Sequence, residues 1–365
     1  MQRTPLYDGH VAAGAKLVDF AGWEMPIHYS GVVDECQAVR SAAGLFDVSH
    51  MGRVAVSGPN ALAFLQRVTT NDVAALAPRG SHYSMVCNPQ GGIKDDVYVY
   101  RPAADRYLVC VNASNRAKLV AWFAEQAKAQ GGVTVEDKSA VQAQLALQGQ
   151  AAKSILAELA VPGLADLAPR QCLDTALLGI PLLLARTGYT GEPGYELYLP
   201  ADRALPIWTE LLARGKGVGL KPVGLGARDL LRLEMAYLLY GNDMSEEVTP
   251  LEAGADWIVN FEKGDFIGRA ALERQQAAGL PRKLAAFELL DKAVPRHGCK
   301  VLAEGRVIGE VTSGNLSPLL QKGIGLASVP PDKAVVGTAL AVDIRGRIVP
   351  AVVVKPPFYR RKKAA

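Results

Sequence analysis

Two adjacent carboxylates, Asp95 and Asp96, follow a pair of glycines and precede a run of β-branched and aromatic residues. The glycines favour a tight turn and the run favours a strand, whose side chains alternate between two faces. Asp96, Tyr98 and Tyr100 would then share one face, while Asp95 shares the other with the valines. A carboxylate beside two rings could hold a flat ligand. The same pattern also fits an ordinary hairpin with a capping aspartate and a half-solvated polar face.

A second polar strand face carries Glu196 and Tyr198, opposite two leucines and close in sequence to Tyr189. A carboxylate in this position could accept two N–H bonds from a planar, guanidine-like ring edge. An exposed glutamate on the surface of a sheet would show the same alternation. The residue types alone leave both interpretations open.

Arg228 and Arg232 lie one turn apart on a helix that the sequence predicts over residues 224–239. Asp229 can pair with Arg232, which leaves Arg228 to find a different partner, such as an anion. The alternative is an ordinary surface helix held by salt bridges.

Asn112 and Met51 are two further candidates. Asn112 ends a predicted strand and could hydrogen-bond a ligand, although asparagine is also a common turn residue. Met51 and Gly52 would allow the backbone to approach a ligand closely, and they would equally suit a bulge.

The composition is that of an ordinary globular protein, with 365 residues, 49% hydrophobic, 21% charged and a net charge of +4. That length predicts two or three domains. No apolar run of about 18 residues and no signal peptide is found, so no membrane segment is expected. Five dispersed cysteines predict reduced thiols and a cytoplasmic protein. Metal-ligand spacings and nucleotide-binding glycine loops are absent, and the charge is mild, so we expect no metal and no nucleic-acid partner.

Strands and helices alternate through short connections up to about residue 280, which favours an α+β fold over a doubly wound sheet. A strand is predicted to run through residue 56, and further strands span residues 82–87, 97–100, 106–112, 141–147, 182–186 and 195–199. Predicted helices span residues 34–43, 61–68, 115–131, 151–160, 202–214 and 224–239. Gly44 is expected to stop the first helix, and Leu205, Trp208, Leu211 and Leu212 to form the buried stripe of the fifth.

Beyond the break at residues 279–281 the pattern consists of short strands and glycine turns only, which predicts a small all-β domain. The predicted strands there span residues 283–290, 300–302, 307–311, 325–329, 339–342 and 348–353. The tail over residues 355–363 is basic and contains no acid. It is either simply solvated or able to meet an acidic partner.

Several stretches of the chain, taken in order, resemble the T-protein family of the glycine cleavage system. Members of this family are tetrahydrofolate-dependent aminomethyltransferases. The matching stretches are residues 44–52, 91–96, 186–192, 226–234, 239–243 and 311–314, so the resemblance covers essentially the whole chain. One departure is Gln150, where many relatives have a proline. Proline there would begin a helix, so the change puts little in doubt.

The resemblance implies a three-domain cloverleaf with folate in a central channel. Residues 1–280 would form the folate-binding region, as two α+β lobes that could be interleaved in sequence. Residues 281–365 would form a C-terminal β-barrel.

The resemblance also implies a set of site residues. Asp96 is the catalytic carboxylate, which the strand alternation selects over Asp95, and Glu196 holds the amino edge of the pterin. A basic residue of the tail, Arg360 or Arg361, is expected to reach the same region. The residues expected to line the channel are Met51, Tyr83, Tyr100, Asn112, Tyr189 and Arg228.

The implied reaction moves the one-carbon unit of an aminomethyl group from the dihydrolipoyl arm of the lipoylated H-protein to tetrahydrofolate. The products are 5,10-methylenetetrahydrofolate and ammonia. Folate supplies the nitrogen nucleophiles, so the protein needs no serine or cysteine nucleophile and no metal. The chain is expected to be monomeric apart from its complex with the H-protein.

Two other interpretations compete. Similar folate domains end the dimethylglycine and sarcosine dehydrogenases, but those chains carry a flavin domain with a Gly-x-Gly-x-x-Gly motif that is absent here. Folate-binding relatives linked to iron–sulfur assembly or tRNA modification share the scaffold without transferase activity. The pair Asp95 and Asp96 and the long match favour the transferase.

Overall fold

The computed structural model describes residues 1–361 and divides into two compact units. The first unit comprises residues 1–84 and 96–228, and the second comprises residues 85–95 with the described chain from residue 229 onward. Helices accompany a six-stranded, a five-stranded and a two-stranded sheet, and a closed six-stranded barrel follows them in sequence. The predicted α+β class with a C-terminal barrel is confirmed. The predicted domain limits, 1–280 and 281–365, stay predictions.

The α-helices of the described chain are α1 Tyr7–Ala12, α2 Val32–Ser41, α3 Ala61–Val68, α4 Arg116–Gln130, α5 Ala152–Glu158, α6 Ala204–Gly215, α7 Leu225–Glu234 and α8 Arg269–Ala278. The strands before the barrel are β1 Lys16–Phe20, β2 Trp23–His28, β3 Ala43–Asp47, β4 Gly52–Ser57, β5 Ser81–Cys87, β6 Ile93–Ala103, β7 Arg106–Val111, β8 Thr134–Asp137, β9 Gln142–Gln148, β10 Cys172–Leu177, β11 Ile180–Ala185, β12 Gly194–Pro200 and β13 Leu220–Val223. The barrel strands are β14 Lys283–Leu289, β15 Lys300–Ala303, β16 Arg306–Ser317, β17 Lys322–Val329, β18 Ala339–Ile344 and β19 Arg347–Val353.

The five-stranded sheet has the order β5-β6-β7-β4-β8. Its strand β6 alternates as predicted, because Asp95, Val97 and Val99 are buried while Asp96 and Tyr98 are partly exposed. The polar and apolar faces of this strand are therefore confirmed.

The six-stranded sheet has the order β10-β11-β12-β9-β3-β13, with β13 parallel to β3 and β9 antiparallel to it. Gly44 lies within β3 and does not stop a helix, so that prediction was wrong. A Cβ at Gly44 would come within 2.5 Å of Val39 Cγ2 and 2.6 Å of Val223 Cγ2. The glycine is therefore required by close packing of a helix and a neighbouring strand on β3.

A large apolar core packs against the six-stranded sheet and includes the buried face of α6. That face consists of Ala204, Ile207, Trp208 and Leu211, as the spacing of three and four residues demands. Leu205 was expected in it, but 38% of its surface is exposed. The predicted stripe was wrong at this position because Ile207, not Leu205, completes the helical face.

Helix α7 ends at Glu234, five residues before its predicted end. Ala236 takes a left-handed conformation with φ of 56°, which a continuing helix does not allow. The guanidinium of Arg232 then donates to the carbonyl of Tyr237 and to Asp243, both at 3.0 Å. The chain turns because these contacts replace further helical bonds.

The barrel closes in the order β14-β17-β16-β15-β18-β19, and all six predicted strands are present. Apolar side chains from every strand fill its interior. The sequence analysis missed α1, α8, β1, β2, β3, β8, β10 and β13. Strand β1 is exposed or half-buried along its length, so it carries no clean alternation that a pattern could reveal.

The N-terminal segment is tied to β3 through the buried carboxylate of Asp47. This carboxylate accepts a bond from the Thr4 hydroxyl at 2.6 Å and contacts His10 Nε2 at 2.8 Å. Burial alone would raise the pKa of Asp47, but hydrogen bonds from His10, Thr4 and Ser49 outweigh it and lower the pKa to about 2. The carboxylate therefore stays ionised and fixes the chain just before residue 50.

No helix within residues 1–361 is long and apolar enough to cross a membrane. In the same stretch, no three His, Cys, Asp or Glu side chains are grouped as metal ligands would be.

Candidate active site

Each carboxylate oxygen of Asp96 accepts a hydrogen bond from a neighbouring side chain. Tyr83 on β5 donates its hydroxyl to Oδ2 at 2.9 Å, and Asn112, just after β7, donates Nδ2 to Oδ1 at 2.6 Å. Because β5, β6 and β7 are neighbours in one sheet, three separate stretches converge here. The two donors orient the carboxylate, which is partly exposed and, as a carboxylate, can accept further bonds from a ligand or take up a proton. The structure brings these three predicted residues together.

Glu196 on β12 is held by three uncharged donors. The hydroxyls of Tyr100 and Thr187 donate to Oε2, the former at 3.0 Å, and Gln144 Nε2 donates to Oε1 at 3.0 Å. Tyr100 comes from the five-stranded sheet, whereas Glu196 and Gln144 come from the six-stranded one. The carboxylate is partly exposed, so it is a fixed acceptor with access for a ligand.

Tyr100 was expected to line the channel, but its side chain is completely buried. Burial first, and the nearby charge of Glu196 second, raise the pKa of the Tyr100 hydroxyl well above its ordinary value. The hydroxyl therefore keeps its proton and donates a hydrogen bond to Glu196. In this structure Tyr100 acts on the site through that carboxylate.

Arg228 lies over the ring of Tyr189, with its guanidinium carbon 4.8 Å from the ring centre. This is cation–π geometry, and both side chains are partly exposed. Burial, reinforced by the charges of Arg228 and Arg53, lowers the pKa of the nearby His50 to about 3, against the pull of Asp47. His50 is therefore neutral near pH 7, and the positive charge at this edge of the site comes from the arginines.

Met51 lies in a loop whose backbone is held by hydrogen bonds from a buried arginine. Arg53 is fully buried, and its guanidinium donates to the carbonyls of Ser49, Met51, Ser139 and Gln142. The Met51 side chain is half-buried and packs against a buried cluster that includes Tyr100 and Tyr198. The loop at Met51 is therefore held in place, while its close approach to a ligand stays a prediction.

Three supporting residues escaped the sequence analysis: Gln144, Thr187 and Arg53. Gln144 lies between two apolar residues of β9, Ala143 and Leu145. This alternation of polar and apolar residue types was the one available signal for a polar face. Thr187 lies in a turn that was recognised only as a matching stretch. Nothing in its neighbourhood marks Arg53, because a charged residue on a strand is normally taken to face solvent.

Two family models together match most of the chain. The model of the GCVT N-terminal domain matches residues 6–263, and that of the glycine cleavage T-protein C-terminal barrel domain matches residues 282–360. The chain belongs to the glycine cleavage T-protein family.

Relatives of known name agree with this assignment. An aminomethyltransferase of Moorella thermoacetica is 48% identical over 363 residues, which cover 100% of this chain and 99% of the relative. One of Desulforamulus reducens is 46% identical over 362 residues, covering 99% of each chain. The crystal structure of glycine cleavage system aminomethyltransferase T from Bartonella henselae superposes with a TM-score of 0.93 at 34% identity, over 99% of both chains. This T-protein family member is accordingly an aminomethyltransferase.

In the second unit, three of the matching stretches meet in a buried polar network. Arg232 is 2% exposed and pairs with Asp229 at 2.7 Å and with Asp243 at 3.0 Å. The hydroxyls of Thr312 and Ser313 also donate to Asp243. The predicted pair of Asp229 and Arg232 is confirmed, and Arg232 also joins this helix to Asp243 and Ser313.

The glycine pair before β6 is required by packing in this unit. Gly91 has a φ of 86°, which favours glycine. A Cβ at Gly92 would lie 1.8 Å from the carbonyl oxygen of Glu246, so no other residue fits. The turn that precedes the two aspartates is thus held against a neighbouring segment.

Arg360 and Arg361, the tail residues expected to reach folate, are exposed at the end of the second unit's described chain. Lys362 and Lys363, which belong to the same predicted basic tail, lie outside the described residues. The role of Arg361 in binding stays a prediction.

Proposed function

We propose that this chain transfers the methylene carbon of an aminomethyl group from the dihydrolipoyl arm of the H-protein to tetrahydrofolate. The products are 5,10-methylenetetrahydrofolate and ammonia. The observation that carries the proposal is a pair of oriented carboxylates linked through one face of one strand. Asp96 and Tyr100 share a face of β6, and Tyr100 donates directly to Glu196.

The spacing of these groups suits a flat, elongated ligand. Asp96 and Tyr100 are four positions apart on the strand, which is about 13 Å between their Cα atoms. A ligand whose amino edge is anchored by Glu196 would extend along Tyr98 toward Asp96. Folate has such an edge on its pterin ring, and its reacting nitrogens lie farther along the molecule.

The bond changes balance without a metal or an external oxidant. The carbon–sulfur and carbon–nitrogen bonds of the aminomethyl group break, and two carbon–nitrogen bonds to folate form. The two hydrogens that leave the folate nitrogens end on the thiol of the lipoyl arm and on ammonia. The chain has to orient the reactants and keep water away from an iminium-like carbon.

Asp96 is the residue that we assign to the chemistry. Its carboxylate would stabilise positive charge that develops near the folate nitrogens and accept a proton from one of them. Tyr83 and Asn112 hold it in place through the two bonds described above. Arg228 and Tyr189 would form a cationic, aromatic wall of the site. The backbone at Met51 would lie close to the ligand.

We also propose that the enzyme works in the cytoplasm as a monomer that binds the H-protein transiently. All five cysteines are free thiols, which agrees with a reducing compartment. No resident metal is part of the proposal.

The test is an assay of ammonia release from aminomethyl-loaded H-protein and tetrahydrofolate. We expect Asp96→Ala to lower turnover by about 10²–10⁴-fold, the usual contribution of general acid–base catalysis. Asp95→Ala is the matched control, because Asp95 is fully buried and its loss should mainly reduce stability. Near-normal turnover of Asp96→Ala would refute the catalytic assignment. Loss of turnover confined to Asp95→Ala would move the catalytic assignment to Asp95. If the wild-type protein releases no ammonia, the result would favour a folate-binding relative without transferase activity.

A further inference from the structure

Gln144 closes a ring of hydrogen bonds around Glu196. Its Nε2 donates both to Glu196 Oε1 at 3.0 Å and to the Tyr198 hydroxyl at 3.1 Å. The Tyr198 hydroxyl donates to the Tyr100 hydroxyl at 3.0 Å, and Tyr100 donates to Glu196 Oε2 at 3.0 Å. Four side chains therefore form one closed circuit that begins and ends on a single carboxylate.

The direction of the circuit is set by chemistry. An ionised glutamate can only accept, so the amide of Gln144 must present its nitrogen to Glu196. The other end of that amide, Oε1, lies 3.6 Å from the Cys110 thiol, a distance compatible with S–H donation. Burial first, and then the charge of Glu196, raise the pKa of Tyr198 well above its ordinary value, so this hydroxyl stays a donor.

The circuit is buried, whereas the carboxylate that it supports is not. Gln144, Tyr100 and Tyr198 are each at most 1% exposed, and Glu196 is partly exposed. Buried donors cannot exchange their partners for water, so their hydrogens stay directed at the carboxylate. Glu196 is thus pre-oriented before any ligand arrives.

We propose that Gln144 is a positioning residue, which keeps the Glu196 carboxylate in one orientation so that it meets the amino edge of a pterin without rearrangement. This inference rests on the proposed function and adds to it a residue that does not itself touch the ligand. Its physical basis is preorganisation, since an acceptor that is already fixed loses little freedom on binding. The effect belongs to tetrahydrofolate binding and leaves the chemistry at Asp96 unchanged.

The first variant is Gln144→Met, which keeps the length of the side chain and removes its donor. We expect the KM for tetrahydrofolate to rise roughly tenfold, as loss of a hydrogen bond to a charged group implies, with kcat changed less than about twofold. A residue that served only the fold would lower the melting temperature without separating KM from kcat.

The second variant, Gln144→Glu, retains the shape and introduces a titration. The new carboxyl group can still donate to Glu196 while it is protonated, but it repels Glu196 once it is ionised. We expect tetrahydrofolate to bind this variant nearly as well as wild type near pH 5.5, and progressively more weakly as the pH rises to about 8.5. Wild type should lack this step. The variant also keeps the proposal testable if Gln144→Met fails to fold.

Ile207→Val is the control for a general loss of stability, because Ile207 is equally buried in the same unit and makes no polar contact with the site. It should leave the KM unchanged. This inference alone would be overturned if wild type binds tetrahydrofolate and either variant behaves like it. For Gln144→Met that means a KM equal to that of wild type, and for Gln144→Glu a pH profile equal to that of wild type. Wild type that does not bind tetrahydrofolate would instead overturn the proposed function and, with it, this inference.

Discussion

Glu196 owes its availability as an acceptor to the kind of donor that holds it. Two hydroxyls and one amide orient the carboxylate, and none of these groups carries a charge. An arginine in their place would also orient it, but it would neutralise the charge that attracts the N–H edge of a ligand. Uncharged donors therefore hold the residue in position while leaving its charge for recognition.

At this scale we predict that Glu196→Gln weakens tetrahydrofolate binding far more than docking of the H-protein. Each hydrogen bond to a charged group contributes about 1.5–3 kcal/mol, and the amide would place an N–H against the donors that now face the carboxylate. Titration of tetrahydrofolate into the variant measures the loss, which should exceed tenfold.

The matched control is Glu210→Gln, which changes a partly exposed carboxylate of α6 that pairs with Arg214 one turn away. Its affinity for tetrahydrofolate should equal that of wild type. If Glu196→Gln behaves in the same way as this control, then Glu196 has no part in binding.

At the scale of elements, β3 lies between two neighbouring strands and a helix of the first unit. It pairs with β9 on one side and β13 on the other, and α2 packs against it. The absence of a side chain at Gly44 lets Val39 of α2 and Val223 of β13 approach the backbone. The strand carries Asp47 at its end, so its position also sets the start of the loop through His50 and Met51.

We predict that Gly44→Ala destabilises the protein by about 1–3 kcal/mol, the usual cost of adding a methyl group to a filled core. Gly217→Ala is the control, since its Cβ would meet nothing within 4 Å. Urea unfolding of both variants checks the difference. Shortening the clashing side chain in the double variant Gly44→Ala, Val39→Ala should recover part of the loss. A Gly44→Ala protein as stable as the control would show that the strand can shift at little cost.

At the scale of the whole molecule, the net charge of +4 is small, but basic residues are concentrated in the C-terminal domain. Lys292, Arg296 and Lys300 are exposed there, as are Arg360 and Arg361. We expect the H-protein to present acidic residues here, since a basic tail of this kind is able to meet an acidic partner. Opposite charges at the rim of an interface accelerate encounter and are screened over about 8–10 Å at physiological salt.

We therefore predict that the H-protein docks through charge and that its association rate falls steeply with ionic strength. Replacing Arg361, Lys362 and Lys363 with serine should lower that rate several-fold at low salt and flatten its salt dependence. Binding of free tetrahydrofolate should change less. Stopped-flow association at several salt concentrations provides the measurement.

A second triple variant, Lys128→Ser, Lys153→Ser and Lys216→Ser, removes the same charge from exposed positions of the first unit. It separates a local effect of the tail from one of net charge. Equal rates and salt slopes for wild type and the tail variant would mean that the tail is merely solvated.

The sequence by itself determined the features that depend on local periodicity. The polar face of β6 follows from alternation, because side chains on a strand repeat every two residues. The six strands of the barrel follow from short strand patterns separated by glycine turns. The pair of Asp229 and Arg232 follows from the helical repeat in the same way. Family resemblance then supplied the roles that no periodicity contains.

Only the tertiary structure decided which residues support the two carboxylates. Tyr100 is 96 positions from Glu196 in the chain, and Gln144 is 52 positions from it, yet all three meet at one point. It also decided that Tyr100 is buried, that Gly44 lies in a strand and that Arg53 lies in the interior. Each of these depends on which sheets and helices pack together, and that packing joins residues whose separation in sequence carries no periodic signal.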